Sequence, residues 1–218
     1  MNNKFTLLTP VFDLPVDLHQ QLIHDMAQKD FRGNFSYFNT NSLKNQPLLI
    51  KWLTKFMFGD VVFQTYQLSE SSEQLVLAQY KDFIEFVGKP YKIRFKTLSN
   101  AKAMPPHSDV ENSHRGTAHP KGDYCSVFVG VITNNETTNW YTYAGRFVMD
   151  RVNPFKLKKK KSITVQDRQA CLFDNNAIHS VTNCKPENTR WALAISWQDI
   201  TYDELLKKYY DYCNRNSY

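Results

Sequence analysis

His107 and Asp109 stand two residues apart in Pro105-Pro106-His107-Ser108-Asp109, and His179 opens His179-Ser180-Val181 far downstream. In extended backbone, side chains two residues apart point to one face, so a single metal ion could take both His107 and Asp109. Pro105 and Pro106 bias the approach to His107 toward extended backbone, because proline disfavours α conformation in the residue before it. His179 is the one histidine after residue 119 and could supply a third ligand from a distant strand. Two imidazoles and a carboxylate on one face of a divalent metal suit Fe(II) and leave three octahedral positions open. Arg190, in Thr189-Arg190-Trp191, suits a carboxylate-bearing co-substrate beside that metal. His107, Asp109 and His179 are thus the candidate catalytic and metal-binding set.

Other residues compete for these roles. His114 and His119 lie in the polar stretch from Glu111 to Pro120, a poor platform for a rigid ligand, and read as solvated or substrate-facing. His19 and His24 fall in a helix-like segment far from any other ligand type. The terminal strand-like segment separates into two faces, with Arg190, Ala192, Ala194 and Ser196 on one and Trp191, Leu193, Ile195 and Trp197 on the other. The bulky face can pack on helices. The other sets one arginine among small side chains, and burying that arginine without an anion would cost several kcal/mol, to a rough order of magnitude. A buried Asp or Glu partner is the bland alternative.

The elements that would hold these residues fall in two groups. The first third reads as mostly helical: Asp13 and Pro15 sit where an N-cap and a first-turn proline belong, followed by Leu18, Leu22 and Met26. Gln46 to Phe58 forms a broad apolar helix face ended by Gly59, a strand is expected at Val61–Leu68, and Ser69 to Val87 reads as one further helix. After Pro90 short strands alternate with turns through Trp197, and Tyr202 to Cys213 reads as a closing helix. About eight strands at this spacing suggest a mainly β sandwich or barrel of the jelly-roll kind with flanking helices. The expectation is a single domain over 1–218, with helical support at 1–90, the β core at 91–200 and the C-terminal helix at 201–218.

Length and composition fit that picture. The chain has 218 residues, 42% hydrophobic and 14% aromatic, enough for one packed core. The first residues lack a signal peptide's apolar segment, and no run approaches the roughly 20 apolar residues of a membrane span. Cys125, Cys171, Cys184 and Cys213 are scattered without a CxxC pair, which fits reduced thiols and a cytoplasmic setting. A net charge of +6 permits an acidic partner without requiring one. Lys156 and Lys158 to Lys161 could bind phosphates, although no aromatics interleave them and a solvated hairpin is the plainer reading. Trp140, Tyr141 and Tyr143 could border a site mouth or pack between sheets, and Arg94, Arg115 and Arg146 are further candidates for substrate contact.

Together, His107-Ser108-Asp109, the run Ala170-Cys171-Leu172-Phe173-Asp174 leading to His179-Ser180-Val181, and Arg190 resemble the core of the Fe(II)/2-oxoglutarate-dependent dioxygenases. The resemblance spans about Pro105 to Trp197 and implies a double-stranded β-helix (jelly-roll, cupin-like) with N-terminal supporting helices. It implies Fe(II) on His107, Asp109 and His179, 2-oxoglutarate with its distal carboxylate on Arg190, and O2 as the other co-substrate. Tyr124 and Ser126, on one face of their strand, and Ser196 are candidates to hydrogen-bond the keto acid. The activity implied is hydroxylation of a peptide, a protein side chain or a small molecule. Oxidation or demethylation of a nucleic-acid base by the same chemistry, and a non-enzymatic cupin-like binding module, are the alternatives. Arg190 stands where collagen-type prolyl hydroxylases typically carry lysine, which counts against that subgroup.

Overall fold

The alternation in Arg190–Gln198 (β11) sets the layers of the molecule. Leu193, Ile195 and Trp197 enter a core with Leu18, Leu22, Val76, Phe83, Leu205 and Tyr209, all from helices. Each such fully buried aliphatic or aromatic side chain contributes about 1.5–3 kcal/mol relative to exposure. Arg190 and Ala192, on the other face, line a cavity. One strand thus serves the core with one face and the site with the other.

The computed structural model describes residues 5–8, 12–39, 48–107, 124–143 and 156–216. β11 is central in a seven-stranded antiparallel sheet. On one side of it come β6 (Tyr124–Ile132), β9 (Ala170–Asp174) and β1 (Phe5–Leu7). On the other come β4 (Lys92–Ala101), β3 (Gly59–Leu68) and β2 (Phe31–Asn39). A four-stranded antiparallel sheet runs β5 (Met104–His107), β10 (His179–Thr182), β7 (Thr137–Tyr143) and β8 (Leu157–Thr164). Trp140 and Val165 from the small-sheet side pack against Cys171 and Phe173 of the large one, so the two sheets face each other. Met104 and Val181 likewise meet Leu98 and Val61.

Helices α1 (Val16–Gln28), α3 (Glu70–Gln79), α4 (Lys81–Val87) and α5 (Tyr202–Arg215) cover the outer face of the large sheet through that core. α2 (Leu48–Phe58) is the exception, leaving Trp52 and Phe56 more than half exposed. Local chemistry starts two of the helices. Thr201 accepts from the Glu204 amide while the Glu204 carboxylate accepts from the Thr201 amide, a complete capping box. Ser69 accepts from the Ser72 amide at the head of α3.

Several expectations change. Pro15, not Asp13, is the cap position of α1; the Asp13 carboxylate instead accepts from the Ala170 amide at 3.3 Å, and burial raises its pKa. The region 1–90 is not only helical support: besides the expected strand at Val61–Leu68, found as β3, β1 and β2 also join the large sheet. Phe31, Phe35 and Tyr37 alternate in sequence, a strand signal that a helical reading passes over. The helix expected from Ser69 to Val87 breaks at Tyr80, whose ring stacks on Phe12 at 5.0 Å while its hydroxyl donates to the Phe12 carbonyl at 3.0 Å. Tertiary anchoring there overrides local periodicity. Lys158 to Lys161 lie in a strand rather than a hairpin turn: β8 is an edge strand and these lysines are exposed on it. Edge lysines discourage pairing with another chain's strand.

All four cysteines are free thiols. Burial pushes Cys171 up to about 12 and Cys184 up to about 11 from 9.0, and raises the tyrosines at 80, 202 and 209 above their ordinary 10.0. The folded state therefore holds these protons more tightly than the unfolded chain. Their contribution is fully present below about pH 9 and is lost as pH rises from there through about 12. We expect a lower urea midpoint at pH ~11 than at pH ~8, with Cys171→Ala removing part of the difference. Equal midpoints would contradict this burial.

Candidate functional site

β5 and β10 are neighbours in the small sheet, and their register sets His179 directly against His107. The imidazole centroids are 4.2 Å apart. Each ring is oriented by its own strand's approach: Nδ1 of His107 lies 2.7 Å from the Pro105 carbonyl oxygen, and Nδ1 of His179 lies 3.0 Å from that of Ala177. A carbonyl only accepts, so each Nδ1 carries a hydrogen and donates. In the neutral rings the lone pair then resides on Nε2, the tautomer a metal requires, with the backbone carbonyl as the outer partner. His179 is 5% exposed, walled by the edge of Phe173 at 4.6 Å and by Trp140 at 6.5 Å between centroids. The pair is thus rigid and half enclosed.

Asp109 lies outside the described residues, as do His114, His119, Arg115 and Arg146. Among the described residues no third His, Cys, Asp or Glu joins the histidines to make a metal-binding group. His19 is taken by another task, with Nε2 2.7 Å from the Val131 carbonyl.

The histidines open onto a cavity of ≈ 70 Å³ between the two sheets, also lined by Arg190, Lys96, Thr138, Phe128 and Trp140. At 10–15 Å³ for each water-sized occupant, that is room for a handful of heavy-atom centres. No carboxylate is among the described lining residues, whereas an arginine and a lysine are. Arg190 Nε is buried and has no hydrogen-bond partner among the described residues. A buried guanidinium nitrogen left in that state costs free energy, and an entering carboxylate would satisfy it. The Asp or Glu partner considered as the bland alternative is not found for it among the described residues. Arg190 also acts on Cys171 and Cys184, where its charge opposes the upward push of burial.

Of the remaining sequence candidates, Tyr124, Ser126 and Ser196 lie on the large sheet, and Trp140 and Tyr141 on the small one. Ser126 and Ser196 face each other across β6 and β11 with hydroxyls 2.8 Å apart, and the Asn175 amide donates to Ser126 at 2.8 Å. They do not line the cavity with Arg190. Tyr124 opens β6 opposite Gln198; its side chain lies outside the described set. Trp140 points into the cavity, while the Tyr141 hydroxyl is 2.9 Å from Ser180 Oγ.

Lys96 and Thr138 were not singled out in the sequence. Lys96 sits on β4 opposite Ala192, and its ammonium rests 4.7 Å from the centre of the Phe128 ring, two strands away. The alternation in Tyr91–Leu98 put Lys96 and Leu98 on one face, but only sheet packing makes that face the cavity wall.

The sequence matches no family model and no curated protein. Solved structures do match. SnoK, the non-heme alpha ketoglutarate dependent carbocyclase from nogalamycin biosynthesis, has a TM-score of 0.53 at 10% identity, covering 90% of this chain and 80% of its own. HygX from Streptomyces hygroscopicus, solved with nickel, 2-oxoglutarate and hygromycin B bound, scores 0.49 at 9% identity, over 88% and 82%. A prolyl-4-hydroxylase from Pseudomonas putida scores 0.39 at 11% identity, over 91% and 93%. At such identity the likeness to SnoK shows the fold: a double-stranded β-helix, mainly β with flanking helices, in agreement with the sequence expectation.

Proposed function

We propose that this chain is an Fe(II)- and 2-oxoglutarate-dependent oxygenase that hydroxylates a small molecule or a peptide or protein side chain. The observation that carries the reading is a pair of histidines, both fixed as Nδ1 donors, in one cavity with an arginine whose buried Nε lacks a hydrogen-bond partner among the described residues. The donor set fits the group. His107 and His179 would give Nε2 to iron and Asp109 would complete the facial set. Bound iron would supply activation of O2, driven by oxidative decarboxylation of 2-oxoglutarate to succinate.

The chain's own residues would bind, orient and shield. Arg190 would hold the distal carboxylate of the keto acid through charge-assisted hydrogen bonds. Phe128, Phe173 and Trp140 would keep the cavity apolar around it, strengthening those bonds by excluding water. The Pro105 and Ala177 carbonyls would keep both imidazoles from rotating away. The likeness of the fold to SnoK supports the reading.

Anaerobic addition of Fe(II) and 2-oxoglutarate is expected to produce a weak visible charge-transfer band, and addition of O2 to yield succinate. A folded protein giving neither would sink the assignment. Arg190→Gln is expected to weaken 2-oxoglutarate binding by roughly thirtyfold or more, as truncating one partner of a buried charge pair costs about 2 kcal/mol at least. Titration of the band reads this directly, and Fe(II) affinity without the keto acid should not change. Unaltered 2-oxoglutarate affinity would remove Arg190 from the co-substrate site.

A further inference from the structure

Helix α2 departs from the pattern of the other helices. Leu48, Leu49, Trp52, Leu53, Phe56 and Met57 recur at i, i+1, i+4, i+5, i+8 and i+9, so they occupy about half of the helical circumference. An apolar stripe of that width ordinarily faces a core. On α2 these side chains are 42–86% exposed, and none belongs to a core cluster among the described residues. Phe58, at the end of the helix, does pack inward, beside Val61, Leu98 and Met104.

The helix is anchored at that end. The Lys102 amide donates to the Phe58 carbonyl at 2.9 Å and the Lys102 ammonium to the Phe56 carbonyl at 3.2 Å. The turn between β4 and β5 thus satisfies the last carbonyls of α2. Gly59 then leads into β3 at φ +82°, where a Cβ would stand 2.6 Å from the Asn100 carbonyl oxygen, so no side chain fits. Trp52 and Phe56 stack on each other at 5.5 Å between centroids, 13° from parallel. The outward face is carried on a fixed helix, with its two aromatics already ordered against each other.

Area and charge decide what such a face fits. At roughly 200 Å² for each fully exposed side chain of this size, the six expose about 750 Å². A patch that large exceeds what monomers ordinarily leave in water. It nearly equals the ~800 Å² that each partner contributes to a standard interface. The centre is apolar and aromatic and the border polar: Lys55 pairs with Asp60 at 2.8 Å, and Asn100 and Lys102 line the groove beside Trp52 and Phe56. That is the layout of a protein interface, with a tryptophan among its anchors. An anionic lipid surface would call for a cluster of basic residues instead. Of the two lysines described at this border, Asp60 neutralises one. An apolar centre with a largely self-compensated rim is complementary to itself, as a two-fold interface requires.

We propose that α2 is the docking surface for a second copy of this chain, the two helices packing face to face about a two-fold axis. The proposal stands apart from the oxygenase reading, because α2 contributes no described residue to the histidine cavity.

Sedimentation velocity on the full chain between about 1 and 100 µM is expected to show twice the chain mass, with monomer appearing at the dilute end. Trp52→Glu and Phe56→Glu should each weaken association by about thirtyfold or more, with circular dichroism as in the parent. Leu75→Glu, at an exposed apolar position on α3, should leave the mass as it is. The proposal is overturned if the parent is monomeric throughout this range, if the Trp52→Glu, Phe56→Glu double variant still sediments as a dimer, or if Leu75→Glu dissociates it. Two further results would also overturn it and would reassign the face. Flotation of a monomeric parent with phosphatidylserine-containing vesicles, lost in Trp52→Glu, would give the face to a membrane. A monomeric parent whose melting temperature falls by about 5 °C or more with Trp52→Glu would show that another segment of the same chain covers the helix.

Discussion

Replacing His179 with alanine is expected to reduce 2-oxoglutarate-dependent succinate formation by about a thousandfold or more, equivalent to at least ~4 kcal/mol of barrier. The reason is geometric. His179 is the ligand presented from β10, and the register pair His179–His107 is what brings two imidazoles to one point. Without it, His107 retains its Pro105 hydrogen bond but stands alone among the described residues as a nitrogen ligand at the cavity. Fe(II) affinity, followed by the band or by calorimetry, should fall in parallel. The ring is enclosed by Phe173 and Trp140, so a modest loss of stability accompanies the change, and circular dichroism must show a folded protein at the assay temperature. Persistent turnover would mean that the histidine pair is not the metal site. Unchanged binding of a ligand with no succinate from the parent protein would favour a cupin-like binding module instead.

Phe12→Ala should be the most destabilising single truncation on the helical side, at about 3–5 kcal/mol. Phe12 is 1% exposed and joins three helices to the segment before α1: it stacks on Tyr80 at 5.0 Å, meets Phe83 edge-on at 4.5 Å and approaches Tyr209 at 6.0 Å. Losing the ring opens a void between α3, α4 and α5, and removes aromatic pairs worth about 0.5–1.5 kcal/mol each beyond area burial. For a chain of this size the melting temperature should drop on the order of 10 °C. Because this cluster lies on the outer face of the large sheet, the affinity for 2-oxoglutarate of the remaining folded protein should be untouched. A shift under about 2 °C would show that Phe12 does not bridge the helices.

How much of this was legible beforehand depends on how far each feature reaches along the chain. The two faces of Arg190 to Trp197 were readable because period-two alternation is local, and the structure assigns Leu193, Ile195 and Trp197 to the helix-packed core as that pattern implied. The Thr201–Glu204 capping box and the Ser69 cap are likewise short-range. β1 was not readable: three residues become a strand only because Phe5, Thr6 and Leu7 find Phe173, Leu172 and Cys171. Asp13 had a cap's chemistry and the wrong neighbour, since the Ala170 amide arrives from far along the chain. Lysines 158–161 had a hairpin's composition, yet the pairing of β7 with β8 draws them into an edge strand.

The site divides the same way. Residue types together with their spacing pointed to His107, Asp109, His179 and Arg190 as a candidate set, because imidazole, carboxylate and guanidinium have few uses in that combination. Sequence could not say which nitrogen each imidazole presents, and the Pro105 and Ala177 carbonyls decide that. Nor could it turn Lys96 toward the cavity, or send Ser126 and Ser196 to each other rather than to the cavity. Those outcomes follow from which sheet faces which. Side-chain alternation fixes two faces for every strand, but only the packing of helices on one face leaves the other to enclose a site.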